Sequence, residues 1–139
     1  VAHGDRPDPT VELFGAGATF HHVGLVVRSI ERVAPPGTTI YDDPVQRVRV
    51  AFVDLHGVRL EYIEPVSDDS PVRSNLKQGN LLAHLCYEVP DMPAAMAAAE
   101  AAGFRIVAQP VPAVAFGGRA IAWVYGPVYG LVELLEAPS

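Results

Sequence analysis

Cysteine is nearly absent: Cys86 stands alone in a chain of 139 residues. One thiol allows no intrachain disulfide and excludes cysteine-rich zinc sites. It suits a reducing cytoplasm, the expected location. Basic residues are scarce as well, with 10 Lys and Arg against 16 Asp and Glu, a formal net charge of −6 and no basic cluster. Nucleic acid and anionic membrane surfaces both require a basic footprint, so neither is an expected partner. No apolar run approaches the roughly 20 residues of a membrane span. The opening Val1-Ala2-His3-Gly4-Asp5 shows neither the charged nor the apolar region of a secretory signal. Half the residues are hydrophobic and 19% are charged, which supports one compact core and argues against disorder.

What is present is a repeat. His22-Val23-Gly24-Leu25-Val26-Val27 and His84-Leu85-Cys86-Tyr87-Glu88-Val89 each place a His at the head of a β-prone run ending in Val. Leu60-Glu61-Tyr62-Ile63-Glu64-Pro65 and Val132-Glu133-Leu134-Leu135-Glu136-Ala137-Pro138 share the order apolar, Glu, two apolars, Glu, then Pro at the next position or one past it. Each half thus opens on a His strand and closes on a Glu strand. The glutamates are 72 residues apart and the histidines 62, so the second half carries about ten extra residues between them. Residues 92–102 account for this: they are rich in strong helix formers and are followed by Gly103. Their counterpart, Ser29 to Ala34, is broken by Pro35-Pro36-Gly37 and predicts a turn of helix or none.

The pattern predicts an α+β fold of two tandem βαβββ modules whose sheets curl into a shared cleft, with the first-module helix shortened or absent. Residues 1–19 form a flexible lead-in, loosest up to about Thr10. The first module spans 20–66, a linker with a short helix 67–80, and the second module 81–139. Further strands are expected around 39–41, 47–54 and 58–63, then 105–109, 120–125 and 131–135. In the linker, Ser70-Pro71 reads as a helix N-cap with Pro at the first position, and Gly79 as its close.

A carboxylate or imidazole set among apolar strand residues is costly to bury unless something compensates it. His22, Glu61, His84 and Glu133 occupy repeat-equivalent positions, and one divalent cation would compensate all four. Imidazole with carboxylate suits Zn, Ni, Co, Mn or Fe, with coordination left open for water or substrate. His21 competes with His22 but falls on the opposite strand face. His56, before Gly57, reads as an exposed hairpin residue, and His3 belongs to the lead-in.

These residues resemble the vicinal oxygen chelate superfamily of glyoxalases, bleomycin-resistance proteins and extradiol dioxygenases, and among its members the methylmalonyl-CoA epimerases most closely. The resemblance covers residues 20–137. It rests on His22-Val23-Gly24-Leu25, Leu60 to Pro65, Asp69-Ser70-Pro71-Val72, His84, Gly117-Gly118-Arg119 and Gly130-Leu131-Val132-Glu133-Leu134, in that order. It implies a divalent-metal-dependent isomerase or epimerase that enolises a small acyl thioester or 2-oxo compound, and a homodimer by family habit. Two departures stand out. Glu61 replaces the usual Gln, giving the His, Glu, His, Glu set of a nickel-type glyoxalase I. Val50 falls where the epimerases carry a catalytic Glu, so the base must be sought in Glu133 or Glu61. Arg119, Cys86 and Tyr62 are expected to contact substrate. The alternatives are a glyoxalase I-type lyase, an extradiol dioxygenase, whose open coordination face Glu61 would crowd, and a non-catalytic binder of the resistance type.

Overall fold

The computed structural model describes residues 6–139, so His3 lies outside the described residues. Eight strands form one mixed sheet: β1 (Thr19–Val26), β2 (Tyr41–Asp43), β3 (Val48–Leu55), β4 (Val58–Pro65), β5 (Leu82–Val89), β6 (Arg105–Pro112), β7 (Ala120–Gly126) and β8 (Gly130–Glu136). Their spatial order is β2-β3-β4-β1-β5-β8-β7-β6. Each half therefore repeats one arrangement, with β4 parallel to β1 and β8 parallel to β5. The halves meet where β1 pairs antiparallel with β5. The sheet curls into a half-barrel, and its edge strand β2 lies against a 3-10 turn at Val114–Phe116.

Among the described residues, three helices accompany the sheet: α1 (Ile30–Val33), α2 (Arg73–Gln78) and α3 (Met92–Ala101). As the proline pair predicts, α1 is a single turn, and its one buried side chain is Ile30. The fuller α3 begins at Asp91, whose carboxylate accepts a hydrogen bond from Ala94 N at 3.0 Å. It packs Met92, Ala95 and Ala99 against Phe104, Val124, Val132 and Leu134 in the main core. Among the described residues, no helix is long and apolar enough to cross a membrane.

Several boundaries move from their expected places. β2 lies at 41–43 rather than 39–41. β6 runs on to Pro112, and its prolines are tolerated because it is a sheet edge, where a missing N–H costs no ladder bond. Ser70 does not cap α2; the helix starts later, after Val72, and the Ser70 hydroxyl is buried without a partner. The lead-in is not loose throughout: Phe14 is buried against Tyr87 and Phe104, with ring centroids 5.2 and 5.3 Å away.

Candidate metal centre

Strand register brings the four expected ligands together on β4, β1, β5 and β8, the four central strands. Glu61 and His84 lie in one cross-strand row, each paired with Gly24 on the intervening β1. His22 and Glu133 lie in the adjacent row, each paired with Cys86 on β5. The two rows are related by the sequence repeat. Gly24 stands two residues beyond one His and Cys86 two beyond the other, beneath the ligands that cross the seam. At position 24 a Cβ would overlap the His84 ring, so only glycine fits.

Side-chain tips converge as closely as the rows predict. His22 Nε2 lies 3.2 Å from Glu61 Oε1 and 3.2 Å from Glu133 Oε1. His84 Nε2 lies 3.3 Å from each of the same oxygens. The two Nε2 atoms are 3.2 Å apart, and all four ligand atoms lie within 4.8 Å of one another. Ligands held about 2.0–2.2 Å from one ion stand about 3.0–3.5 Å apart between right-angle and tetrahedral arrangements, so these spacings fit a single centre. All four residues are buried.

Electrostatics point the same way. Burial alone would lower the His84 pKa, but the Glu133 and Glu61 carboxylates outweigh it and raise it to about 9. The same balance raises His22. For Glu133, burial works upward, but its contacts with His22 and His84 prevail and hold it low, near 2. Protons therefore take the place of a cation when none is bound. They do so imperfectly, since Glu133 Oε1 is buried with no hydrogen bond of acceptable geometry despite the two nearby nitrogens. A buried oxygen lacking a donor among two imidazoles and a second carboxylate is what a shared divalent cation would satisfy.

The centre opens onto a cavity of ≈ 310 Å³, reached by Glu61, His84 and Glu133. Its walls include Val48, Val50, Ile63, Phe116, Ile121 and Trp123. Aromatic rings fix the imidazoles: Phe52 meets His22 edge-on at 5.5 Å, and Trp123 meets His84 at 4.8 Å. Phe52 and Trp123 are themselves repeat-equivalent, paired with Glu61 and Glu133 respectively. Sequence reasoning passed over Phe52 and Phe116; a search at the positions opposite each Glu would have found Phe52.

Three residues expected at the substrate sit elsewhere. Tyr62 alternates away from the cavity face that Glu61 and Ile63 share. Cys86 is fully buried with Ala113, Ile121 and Leu135, and burial, with Glu133 nearby, pushes its thiol pKa up. Arg119 is bound to Glu88 Oε2 at 2.9 Å and to the Glu136 carbonyl at 3.1 Å, with its guanidinium over the Phe116 ring. His56 is an exposed turn residue with φ 50°, as expected.

A curled sheet of paired modules carrying a buried two-His, two-Glu cluster beside an apolar cavity defines the structural class. The chain matches the Glyoxalase/Bleomycin resistance protein/Dioxygenase superfamily over residues 21–123 and belongs to it. A curated relative, the ethylmalonyl-CoA/methylmalonyl-CoA epimerase of Cereibacter sphaeroides, is 27% identical, the match covering 82% of this chain and 94% of the relative. Among solved structures, a hypothetical protein of Bacillus halodurans C-125 superposes with a TM-score of 0.75 at 22% identity, covering 88% of this chain and 96% of that one. The methylmalonyl-CoA epimerase of Mycobacterium tuberculosis superposes with a TM-score of 0.71 at 19% identity, covering 86% and 88%.

Proposed function

We propose that this chain is a divalent-metal-dependent isomerase of the epimerase type, enolising a small acyl thioester or 2-oxo compound. The observation that carries the reading is the four-ligand cluster opening onto an apolar cavity, in a chain similar to an epimerase. His22, Glu61, His84 and Glu133 would hold one ion of Zn, Ni, Co, Mn or Fe. Such an ion, when bound, supplies Lewis acidity that makes the C–H beside a substrate carbonyl easier to ionise.

The remaining chemistry falls to the chain. Val50 lines the cavity and accepts no proton; we assign the base to the cluster carboxylates, which stand where the ion would hold the substrate, rather than to Asp43 on β2. Glu133 and Glu61 approach from β8 and β4, on opposite sides of the β1–β5 seam. In a two-base inversion, one of them as carboxylate would take the proton at an oxygen turned away from the ion. The other, entering as the acid, would deliver its own proton from the opposite side, leaving the two carboxyls with their protonation states exchanged. The walls of Val50, Ile121 and Trp123 keep bulk water from competing for that proton.

A glyoxalase I-type lyase is the second reading, favoured by Glu61 as the second carboxylate ligand. Loss of the expected base at Val50 favours a non-catalytic binder. A cytoplasmic homodimer belongs to the main reading; the single turn of α1 leaves the first module's outer face thinly covered, a surface that a second copy would close. Metal content of the purified protein separates the readings. Near one equivalent, lost in both His22→Ala and Glu133→Ala, supports the enzyme. No metal after reloading overturns it in favour of the binder. Deuterium exchange at the substrate carbon, abolished in Glu133→Gln with the fold intact, tests the proton step.

A further inference from the structure

The cavity beside the cluster has a charge pattern that restricts what it accepts. None of the described residues lining it is Lys or Arg, whereas Glu61, Glu133 and Asp43 all face it. Asp43, on β2, is buried, and its Oδ1 accepts a hydrogen bond from Gln46 N at 3.0 Å.

The neighbouring arginines are engaged in other contacts. Arg119 holds Glu88 and the Glu136 carbonyl. Arg49 holds Glu31 at 2.8 Å and Glu64 at 3.2 Å. Arg73 holds the Ser67 and Pro65 carbonyls. Arg47 pairs with Asp69 at 3.2 Å. The proposed ion adds no surplus positive charge, because Glu61 and Glu133 together offset a divalent cation. Apart from His84, one of the proposed ligands, everything else facing the interior, from Val48 and Val50 to Ile121 and Trp123, is apolar or, like Gln46 and Asn75, uncharged.

We infer that the cavity selects ligands whose arm, beyond the two oxygens presented to the cluster, is uncharged and apolar, with Asp43 rejecting arms that end in an anion. With Glu61 and Glu133 offset by the ion, an anionic arm would be desolvated beside the uncompensated Asp43 carboxylate with no cation to pair with, a costly burial. An alkyl or aryl arm loses nothing in the same space and gains contact with the valines, Ile63 and Trp123. The inference rests on the metal reading of the site and assigns the chemical class of its ligand.

Two hydroxamates of equal chain length test it, each presenting the same pair of neighbouring oxygens: hexanohydroxamate, and adipic acid monohydroxamate with its terminal carboxylate. Metal content is measured first; a protein that takes up no ion overturns the reading of the site itself. With Co(II) loaded, binding of each hydroxamate is followed by the visible spectrum. The alkyl compound is expected to bind at least about tenfold tighter than the carboxylate. In Asp43→Asn, which keeps the oxygen facing Gln46 N, that ratio should shrink. Equal or tighter binding of the carboxylate, an unchanged ratio in Asp43→Asn, or failure of both compounds to bind the loaded protein each overturns the inference.

Discussion

His21 and His22, neighbours on β1, meet Nδ1 to Nδ1 at 2.8 Å. One nitrogen donates and the other accepts. For His22 to offer a lone pair from Nε2 toward Glu61, His84 and Glu133, its proton must sit on Nδ1, which makes His21 the acceptor. Burial, with help from Arg59, lowers the His21 pKa to about 4, so its ring is neutral at ordinary pH and able to accept. Removing this partner should loosen the orientation and tautomer of His22. His21→Ala is expected to weaken metal binding about 10- to 100-fold. Chelator competition measures this, and an unchanged affinity would show that the contact does not orient the ligand.

Metal binding should depend on pH with a predictable sign. The raised His84 pKa means that the apo cluster holds protons, and the ion must displace them. Affinity should therefore climb as pH rises, levelling off near pH 9, with proton release on binding that calorimetry in buffers of different ionisation enthalpy can count.

Stability of the apo protein should run the other way at the alkaline end. Raised above its unfolded value of 6.5, His84 contributes stability that is complete below 6.5 and lost as pH climbs through about 9. Glu133 is depressed from 4.5 to about 2, so its contribution is complete above 4.5 and lost as pH falls through about 2. The melting temperature with chelator present should peak between these limits, at about pH 4.5–6.5. A curve still rising at pH 9 would contradict the coupling of His84 to the two carboxylates.

Gly24→Ala should displace His84, because the new methyl and the ring claim the same space. We expect a loss of about 1–3 kcal/mol in stability from overpacking, together with weakened metal uptake. Denaturant titration and chelator competition read the two effects separately, and wild-type values in both would refute the packing assignment.

Cys86 should resist thiol reagents in the native protein, since the residue is fully buried and its pKa is pushed up. Labelling kinetics should show modification only on unfolding. Rapid labelling of the folded protein would mean that the second ligand row is open to solvent.

Much of this was legible along the chain. Equivalent placement of His22 with His84 and of Glu61 with Glu133 carried both the two-module fold and the four-residue cluster. Ligands on regular strands depend on period-2 alternation, which local sequence encodes. The truncated α1 was equally readable from Pro35-Pro36-Gly37. Tyr62 failed as a substrate contact by that same alternation, since it stands one residue from Glu61 and faces the other way.

What the chain could not disclose on its own concerns contacts between distant elements. Arg119 follows two glycines and reads as a substrate contact, yet the β6–β7 connection brings it against Glu88 and Glu136. Asp43 looks like a turn residue until the curl of the sheet places β2 beside Val114–Phe116 and turns the carboxylate inward. The sequence alone determined which side chains gather into the candidate site and on which strands, because strand periodicity and the repeat are local. Only the tertiary structure decided which charges face the cavity and which are paired away, because that depends on sheet curvature and on side chains dozens of residues apart.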